Sequence, residues 1–332
     1  MSEQAEFHEH PLAQRFFVLT PDKVMDAVEA VVGGRCTGSF SVLNSYENRV
    51  YLLPMTDGRE IVGKFYRPGR WNTDQIYDEH EFTADLLDAG VPVAVPLILK
   101  DGDTIGEVEG IFFALYDRVL GRVPQELSID ELDELGIGLA RLHEVGEDFD
   151  ELHRPPLTIH NYARQNLAYL LDNNILPPDM QRAYAQAVES LIAHCEPLFA
   201  DLPTHRIHGD CHLGNLIRSS RGLVFLDFDD MLIGPAVQDI WLLAPSYDQD
   251  GQEQRERIVR SYNTERFFDP DWLSLVEPLR ALRFIRFATW IARRRQDPFF
   301  LRAFPYFFEE RYWRDQITDL HEQIQRITQG FV

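Results

Sequence analysis

Residues His205–Asp230 read HRIHGDCHLGNLIRSSRGLVFLDFDD, a glycine-containing loop followed by an apolar strand that runs into a cluster of carboxylates. Asp210 follows a His-Gly pair, Asn215 stands five residues later, and the strand LVFL delivers Asp227. Phosphoryl transfer needs a set of this kind. One carboxylate orients and deprotonates an attacking hydroxyl. A second carboxylate and an amide oxygen suit Mg²⁺, a hard cation that keeps several waters and bridges to phosphates. Taken singly, Asp and Asn in such a loop are turn formers; the spacing, bracketed by apolar strands, is what points to chemistry. A zinc site stays open as an alternative, because His208, Asp210 and His212 alternate and could share one face of an extended segment. Against it, no third histidine stands nearby and Asn215 would have no task. His212 alone reads as a loop residue. Asp229 and Asp230 read as solvated, although Asp229 is near enough to Asp227 to assist a metal.

Upstream, SFSVLNSY, NRVYLLPM and REIVGKFY alternate with turn signals such as Asp57-Gly58 and predict three antiparallel strands. A helix is expected from about Asn72 to Asp88, with Ile76, Phe82, Leu86 and Leu87 near helical spacing. Pro92 and Pro96 in VPVAVP end it, and two further strands close on IFFALYDRV. Beyond Gly121 the pattern is mainly helical. ELDELGIGLARLHEVG is amphipathic and ends at Gly146, a candidate C-cap; QRAYAQAVESLIAHCEPLF is a second helix, and long helices follow from about Asp269. The boundary is expected near Arg118–Gly121, giving a small β-rich lobe over residues 1–118 and a larger helical lobe over 119–332.

In the small lobe, Lys64 lies in the strand IVGKFY, where apolar neighbours would bury its stem and leave the ammonium to meet the α- and β-phosphates of a nucleotide. The alternative is a snorkelling surface lysine. Its acidic partner should come from the following helix. Glu79 is the better placed, since Leu86 two turns later shares its register with the core face; Glu81 is the alternative, and both could sit on a solvated face.

These stretches resemble the aminoglycoside phosphotransferase/choline kinase group of kinase-like enzymes, and more narrowly the bacterial stress-response kinase A family. LNSYENRVY, KFYRPGRW, HGDCHLGN, GPAVQDIW and EPLRALRF carry the resemblance, which extends from about Thr20 to past Trp313. It implies an α+β, two-lobed protein-kinase-like fold with ATP bound between the lobes. It implies Asp210 as general base and Asn215 and Asp227 as Mg²⁺ ligands, with His208 bracing the loop. Asp239 falls where such enzymes keep a buried, structural Asp beneath the catalytic loop. SFSVLNSYENRV lacks the glycines of a kinase phosphate loop, and the resemblance places Ser45 and its neighbours over the phosphates instead. Backbone groups around Leu115–Arg118 would meet the adenine. Asp227-Phe228-Asp229 lacks the glycine of D-F-G, and twelve positions from Asp227 to Asp239 leave no room for a long activation loop. An enzyme of this kind would be competent once nucleotide and metal bind. The acceptor implied by the narrower family is a protein Ser or Thr; the broader group implies a small alcohol such as choline, homoserine or an aminoglycoside. A nucleotide-binding pseudokinase is the non-enzymatic alternative, and the joint presence of Lys64, Asp210, Asn215 and Asp227 counts against it.

The 332 residues include 54 acidic and 32 basic ones, a formal net charge of −22. Such a surface repels phosphate backbones and anionic membranes, so neither nucleic acid nor a membrane is an expected partner. Cys36, Cys195 and Cys211 fit neither a disulfide framework nor a zinc ribbon. MSEQAEFHEH shows no signal-peptide pattern and no stretch reaches the roughly 20 apolar residues of a span, so a cytoplasmic protein is expected. The carboxy-terminal RFIRFATWIARRRQDPFFLRAFPYFFEERYW has aromatic residues at core-like helical spacing, and could instead line an acceptor cleft. Arg293-Arg294-Arg295 is expected to face solvent or pair with acidic helices.

Overall fold

A computed structural model describes residues 16–149 and 151–330; MSEQAEFHEH lies outside them. The chain forms two compact units. The first comprises the described residues through Glu81 together with Ala94–Leu120, and the second comprises Phe82–Val93 and the described residues from Gly121 onward.

The first unit opens with a helix, α1 (Pro21–Val32). The Thr20 hydroxyl caps it by accepting from Lys23 N–H, Pro21 occupies its first turn, and Gly33 ends it at φ 76°. This helix adds to the strand pattern expected from the sequence. Strands β1 (Ser41–Leu43), β2 (Arg49–Pro54) and β3 (Glu60–Phe65) follow, then helix α2 (Thr73–Asp88), β4 (Gly106–Val108) and β5 (Ile111–Asp117). They make one antiparallel sheet in the order β1-β2-β3-β5-β4. Its core stacks Phe65 on Phe113 at 5.1 Å, with Leu53, Ile61 and Leu115 packed alongside Val24 and Val28 of α1. Each such side chain contributes about 1.5–3 kcal/mol by leaving water. In α2, Ile76, Phe82 and Leu86 are buried, whereas Leu87 is 49% exposed and belongs to the solvent face.

In the second unit, α3 (Ile129–Gly146) starts in a capping box, Ser128 and Glu131 each bonding the other's backbone N–H. Gly146 is its last residue rather than a left-handed cap. A Cβ there would lie 2.2 Å from the Arg206 carbonyl oxygen, so glycine is required for close packing. After α4 (Gln165–Asp172) and α5 (Gln181–Cys195) come β6 (His205–Ile207), the hairpin β7 (Leu216–Ser219) and β8 (Gly222–Phe225), and β9 (Leu232–Gly234). β6 pairs antiparallel with β9, and β7 with β8. The remainder is helical: α6 (Val237–Leu243), α7 (Gln249–Tyr262), α8 (Val276–Arg293), α9 (Pro298–Ala303) and α10 (Glu310–Gln329).

The aromatic carboxy-terminal run contributes to this core. Trp313 of α10 is 1% exposed and meets Tyr184 of α5 edge-on at 5.5 Å. The basic run lies on aromatic rings: Arg293 sits 4.1 Å over Tyr169, Arg294 sits 4.9 Å over Trp290, and Arg295 donates to the Tyr169 hydroxyl. Arg293 is exposed, as expected, while its guanidinium rests on a ring; cation–π contacts and a hydrogen bond add to what holds this run. Among the described residues no helix is long and apolar enough to cross a membrane.

Candidate active site

The β6–β9 ladder and the β7–β8 hairpin fix both ends of the segment carrying the polar set. β6 stops at Ile207 and β7 starts at Leu216, leaving 208–215 as a loop. β8 stops at Phe225, so Asp227 emerges just past its end. Beneath the loop lies Asp239 of α6, completely buried. Its carboxylate accepts from His208 N–H (2.8 Å) and Gly209 N–H (2.9 Å), and His143 Nε2 lies 3.2 Å away. Burial depresses the pKa of His143 in spite of Asp239, so the ring is neutral at physiological pH. It donates to Asp239 through Nε2 and accepts from the Tyr262 hydroxyl, 3.0 Å from Nδ1. Gln238 adds a bond to the Gly209 carbonyl at 3.1 Å. Gly209 itself takes φ 81°, and a Cβ there would fall 2.2 Å from the Asp230 carbonyl oxygen. Only glycine meets both conditions.

The loop's shape is secured independently of the Asp210 carboxylate. The Asp210 carbonyl accepts from His212 N–H and from the Asn215 side-chain amide, both at 3.0 Å. The Asn215 carbonyl accepts from Leu226 N–H at 2.9 Å. Asn215 thereby ties Asp210 to the residue that precedes Asp227, and its amide nitrogen is committed while Oδ1 remains an available acceptor. Asp227 is exposed and sits in the left-handed region at φ 57°, a conformation that non-glycine residues adopt at a cost and that collects at functional sites. His208 is spent on structure. Its Nε2 lies 2.8 Å from the Leu226 carbonyl, its Nδ1 accepts from Asp210 N–H at 3.4 Å, and its ring packs against Phe228. With both ring nitrogens engaged, His208 cannot join Asp210 and His212 around zinc.

The Asp210 carboxylate meets a guanidinium and an imidazole. Arg283 of α8 lies 2.9 Å from Oδ1, and His212 Nε2 lies 3.4 Å from Oδ2. Burial pushes the Asp210 carboxyl up, but the His212 hydrogen bond and the Arg283 guanidinium outweigh it and hold the group below the ordinary carboxylate value. The same hydrogen bond raises His212 above the usual imidazole value against the effect of burial. Asp230 pairs with Arg286 at 2.8 Å, and Asp229 is 3% exposed, its carbonyl accepting from the buried Arg154 guanidinium. Neither is the freely solvated carboxylate expected.

In the first unit, Lys64 is buried and its ammonium lies 2.9 Å from Glu79. Glu81 is exposed, so Glu79 is the partner. Tyr66 stands behind the pair, with its hydroxyl 3.5 Å from Glu79 Oε2 and 3.0 Å from His80 Nε2. His80 continues to Thr104 at 2.7 Å. Replacing Glu79 by glutamine keeps the shape but weakens a charge-assisted bond, and is expected to lower unfolding free energy by about 2 kcal/mol in denaturant titrations. An unchanged midpoint would show the pair to be energetically idle. Ser45 closes its own turn by accepting from Asn48 N–H at 3.2 Å. The Asn48 side chain accepts from Arg67 N–H at 3.1 Å, and Glu47 pairs with the Arg67 guanidinium at 2.9 Å. At the end of β5, the Leu115 carbonyl accepts from Leu97 N–H and Arg118 N–H donates to Glu60, so the sheet already uses these two of the backbone groups expected to meet a base.

Residues 39–276 match the profile of the phosphotransferase enzyme family. The chain belongs to the phosphotransferase enzyme family. Within it, stress response kinase A of Escherichia coli K12 is 37% identical over 309 residues, 93% of each chain. A protein named serine/threonine protein kinase RdoA from Salmonella typhimurium LT2 matches to the same extent, 37% over 309 residues. This identity over nearly the whole length makes the chain a member of the stress response kinase A group. Solved phosphotransferases share the fold at low identity. An amicoumacin kinase in complex with AMP-PNP and Ca²⁺ superposes with a TM-score of 0.68 at 18% identity, covering 88% of this chain and 89% of that one. A microcompartment-associated aminopropanol kinase gives 0.67 at 19%, covering 93% and 99%. The fold is thus kinase-like, and this phosphotransferase carries its five-stranded antiparallel sheet and its helical unit in the expected order.

Several residues around the phosphotransferase loop escaped the sequence. Arg283, Arg286, Arg154, His143 and Tyr262 reach the site from α8, α3, α7 and a connecting segment. Nothing in their local sequence marks which way an arginine or histidine on an amphipathic helix points.

Proposed function

We propose that this chain transfers the γ-phosphoryl group of ATP, with Mg²⁺, to a Ser or Thr hydroxyl of cytoplasmic proteins during a stress response. The observation that carries the reading is the loop itself: an ionised Asp210 is presented beside Asn215 and Asp227 on a backbone gripped from below by Asp239. Asp210 accepts the proton of the acceptor hydroxyl as it attacks. Asn215 Oδ1 and the exposed Asp227 carboxylate are hard oxygen donors of the kind Mg²⁺ takes alongside nucleotide phosphates and water, so these residues fit the ion. The bound ion supplies neutralisation of charge on the transferred phosphoryl group. Lys64, braced by Glu79, is assigned to the α- and β-phosphates, and the turn around Ser45 to covering them. Residues 1–118 take the nucleotide-binding role, and 119–332 the catalytic and acceptor-binding roles. The protein acceptor is supported by the full-length relative named as a serine/threonine protein kinase.

The test is to incubate the full chain with γ-labelled ATP and Mg²⁺, offering a protein mixture in one series and choline, homoserine and an aminoglycoside in another. Label is expected in phosphoserine and phosphothreonine, abolished by chelator and restored by excess Mg²⁺. Label confined to a small alcohol would overturn the protein acceptor, and chelator-resistant transfer would overturn the metal assignment.

A further inference from the structure

The acceptor hydroxyl has to reach Asp210, and the charge it meets there is set by α8. Arg283 and Arg286 are one turn apart and both turn toward the loop, Arg283 to Asp210 and Arg286 to Asp230. The Arg286 guanidinium also lies 4.5 Å over the Tyr162 ring and donates to its hydroxyl, which fixes it in place. Arg283 is 40% exposed and meets Asp210 through one terminal nitrogen of a planar fork that carries five N–H donors. On a protein of net charge −22, this places a partly exposed guanidinium beside the attacking position.

We propose that Arg283 is a specificity-determining residue that bridges Asp210 to an anionic group flanking the acceptor hydroxyl, so that this phosphotransferase selects a hydroxyl next to carboxylates over one next to amines. The proposal rests on the reading of Asp210 as the base. A carboxylate close to the reacting hydroxyl would otherwise be repelled by Asp210. The guanidinium offsets that repulsion and supplies two parallel N–H donors in the geometry a carboxylate accepts. A cationic acceptor would meet Arg283 head-on. Given the protein acceptor proposed above, the favoured substrate is a Ser or Thr in an acidic peptide segment.

The experiment measures kcat/KM with Mg²⁺ and ATP for serine peptides flanked by Asp and Glu, by Ala, or by Lys, using the parent chain, R283K, R283A and R283E. A parallel set replaces the peptides with hydroxy acids and amino alcohols, and nucleotide affinity is read for each variant as the folding control. The parent is expected to prefer acidic over basic peptides by at least about tenfold, as a close charge pair or clash allows. R283A should flatten the series, R283K should restore part of it, and R283E should reverse it while nucleotide affinity stays within about twofold. Equal use of acidic and basic peptides by the parent, or an acidic preference surviving in R283E, would overturn the proposal. Transfer to no peptide but to hydroxy acids over amino alcohols would remove the protein acceptor and leave the role of Arg283 standing. A preference for amino alcohols, or transfer to neither set, would overturn it.

Discussion

Asp210→Ala is expected to lower phosphoryl transfer by about 10³-fold, the scale of a positioned general base, while nucleotide affinity stays within about twofold. The expectation depends on the loop surviving the change. Its curvature comes from main-chain bonds to the Asp210 carbonyl, donated by His212 N–H and the Asn215 amide, and from the grip of Asp239 on His208 and Gly209. None of these uses the Asp210 carboxylate. What the mutation removes is the counter-charge of Arg283 and the hydrogen-bond partner of His212. Both are partly exposed and regain water, so stability should change little. Asp210→Asn sharpens the test, because it preserves volume and hydrogen-bonding reach but cannot take a proton. Single-turnover transfer with labelled ATP, beside titration of a fluorescent nucleotide, separates chemistry from binding. Transfer by Asp210→Asn within tenfold of the parent would remove Asp210 from the role of base.

How much of this was legible beforehand depended on how local the information is. The strand holding Lys64 and the helix holding Glu79 announce themselves by periodicity, and placing both groups on inward faces is enough to predict their pairing. The spacing of Asp210, Asn215 and Asp227 was also readable, since β6, β7 and β8 are short and the loop between them is contiguous in sequence. Legibility failed where tertiary contacts override a local signal. Gly146 has the look of a helix cap, yet it is glycine because the Arg206 carbonyl passes 2.2 Å from where its Cβ would be. Leu87 has the right spacing for the core but faces solvent. Helix α1 is a different case: Thr20, Pro21 and Gly33 are ordinary start and stop signals, and the helix could have been found from them. Arg283 could not. RALRFIRFA carries arginines at three consecutive i, i+3 positions, and choosing the one that meets Asp210 requires the packing of α8.

The buried carboxylate at 239 makes the second large prediction, in which stability and activity should fall together. Asp239 is fully enclosed and receives His208 N–H, Gly209 N–H and His143. Alanine there would strand those donors away from water, at a cost of about 3–5 kcal/mol. Asparagine is the more informative change. It is isosteric, but one of its two ends is an NH₂ group, and whichever way the amide turns, that end confronts a donor: Gly209 N–H on one side, or His208 N–H and His143 Nε2 on the other. The conflict can be relieved if the backbone at 208–209 moves, and that backbone carries Asp210. A displacement near 1 Å at a reacting group costs on the order of 10²-fold in rate. Asp239→Asn is therefore expected to lose about 2 kcal/mol of unfolding free energy and about 10²-fold in transfer per folded molecule, with nucleotide affinity little changed. Denaturant titration gives the first number, and transfer assayed well below the unfolding midpoint gives the second. If Asp239→Asn is destabilised but transfers at the parental rate, the carboxylate holds the fold without setting the position of the base, and the loop keeps its working geometry through the Asn215 and Gln238 bonds.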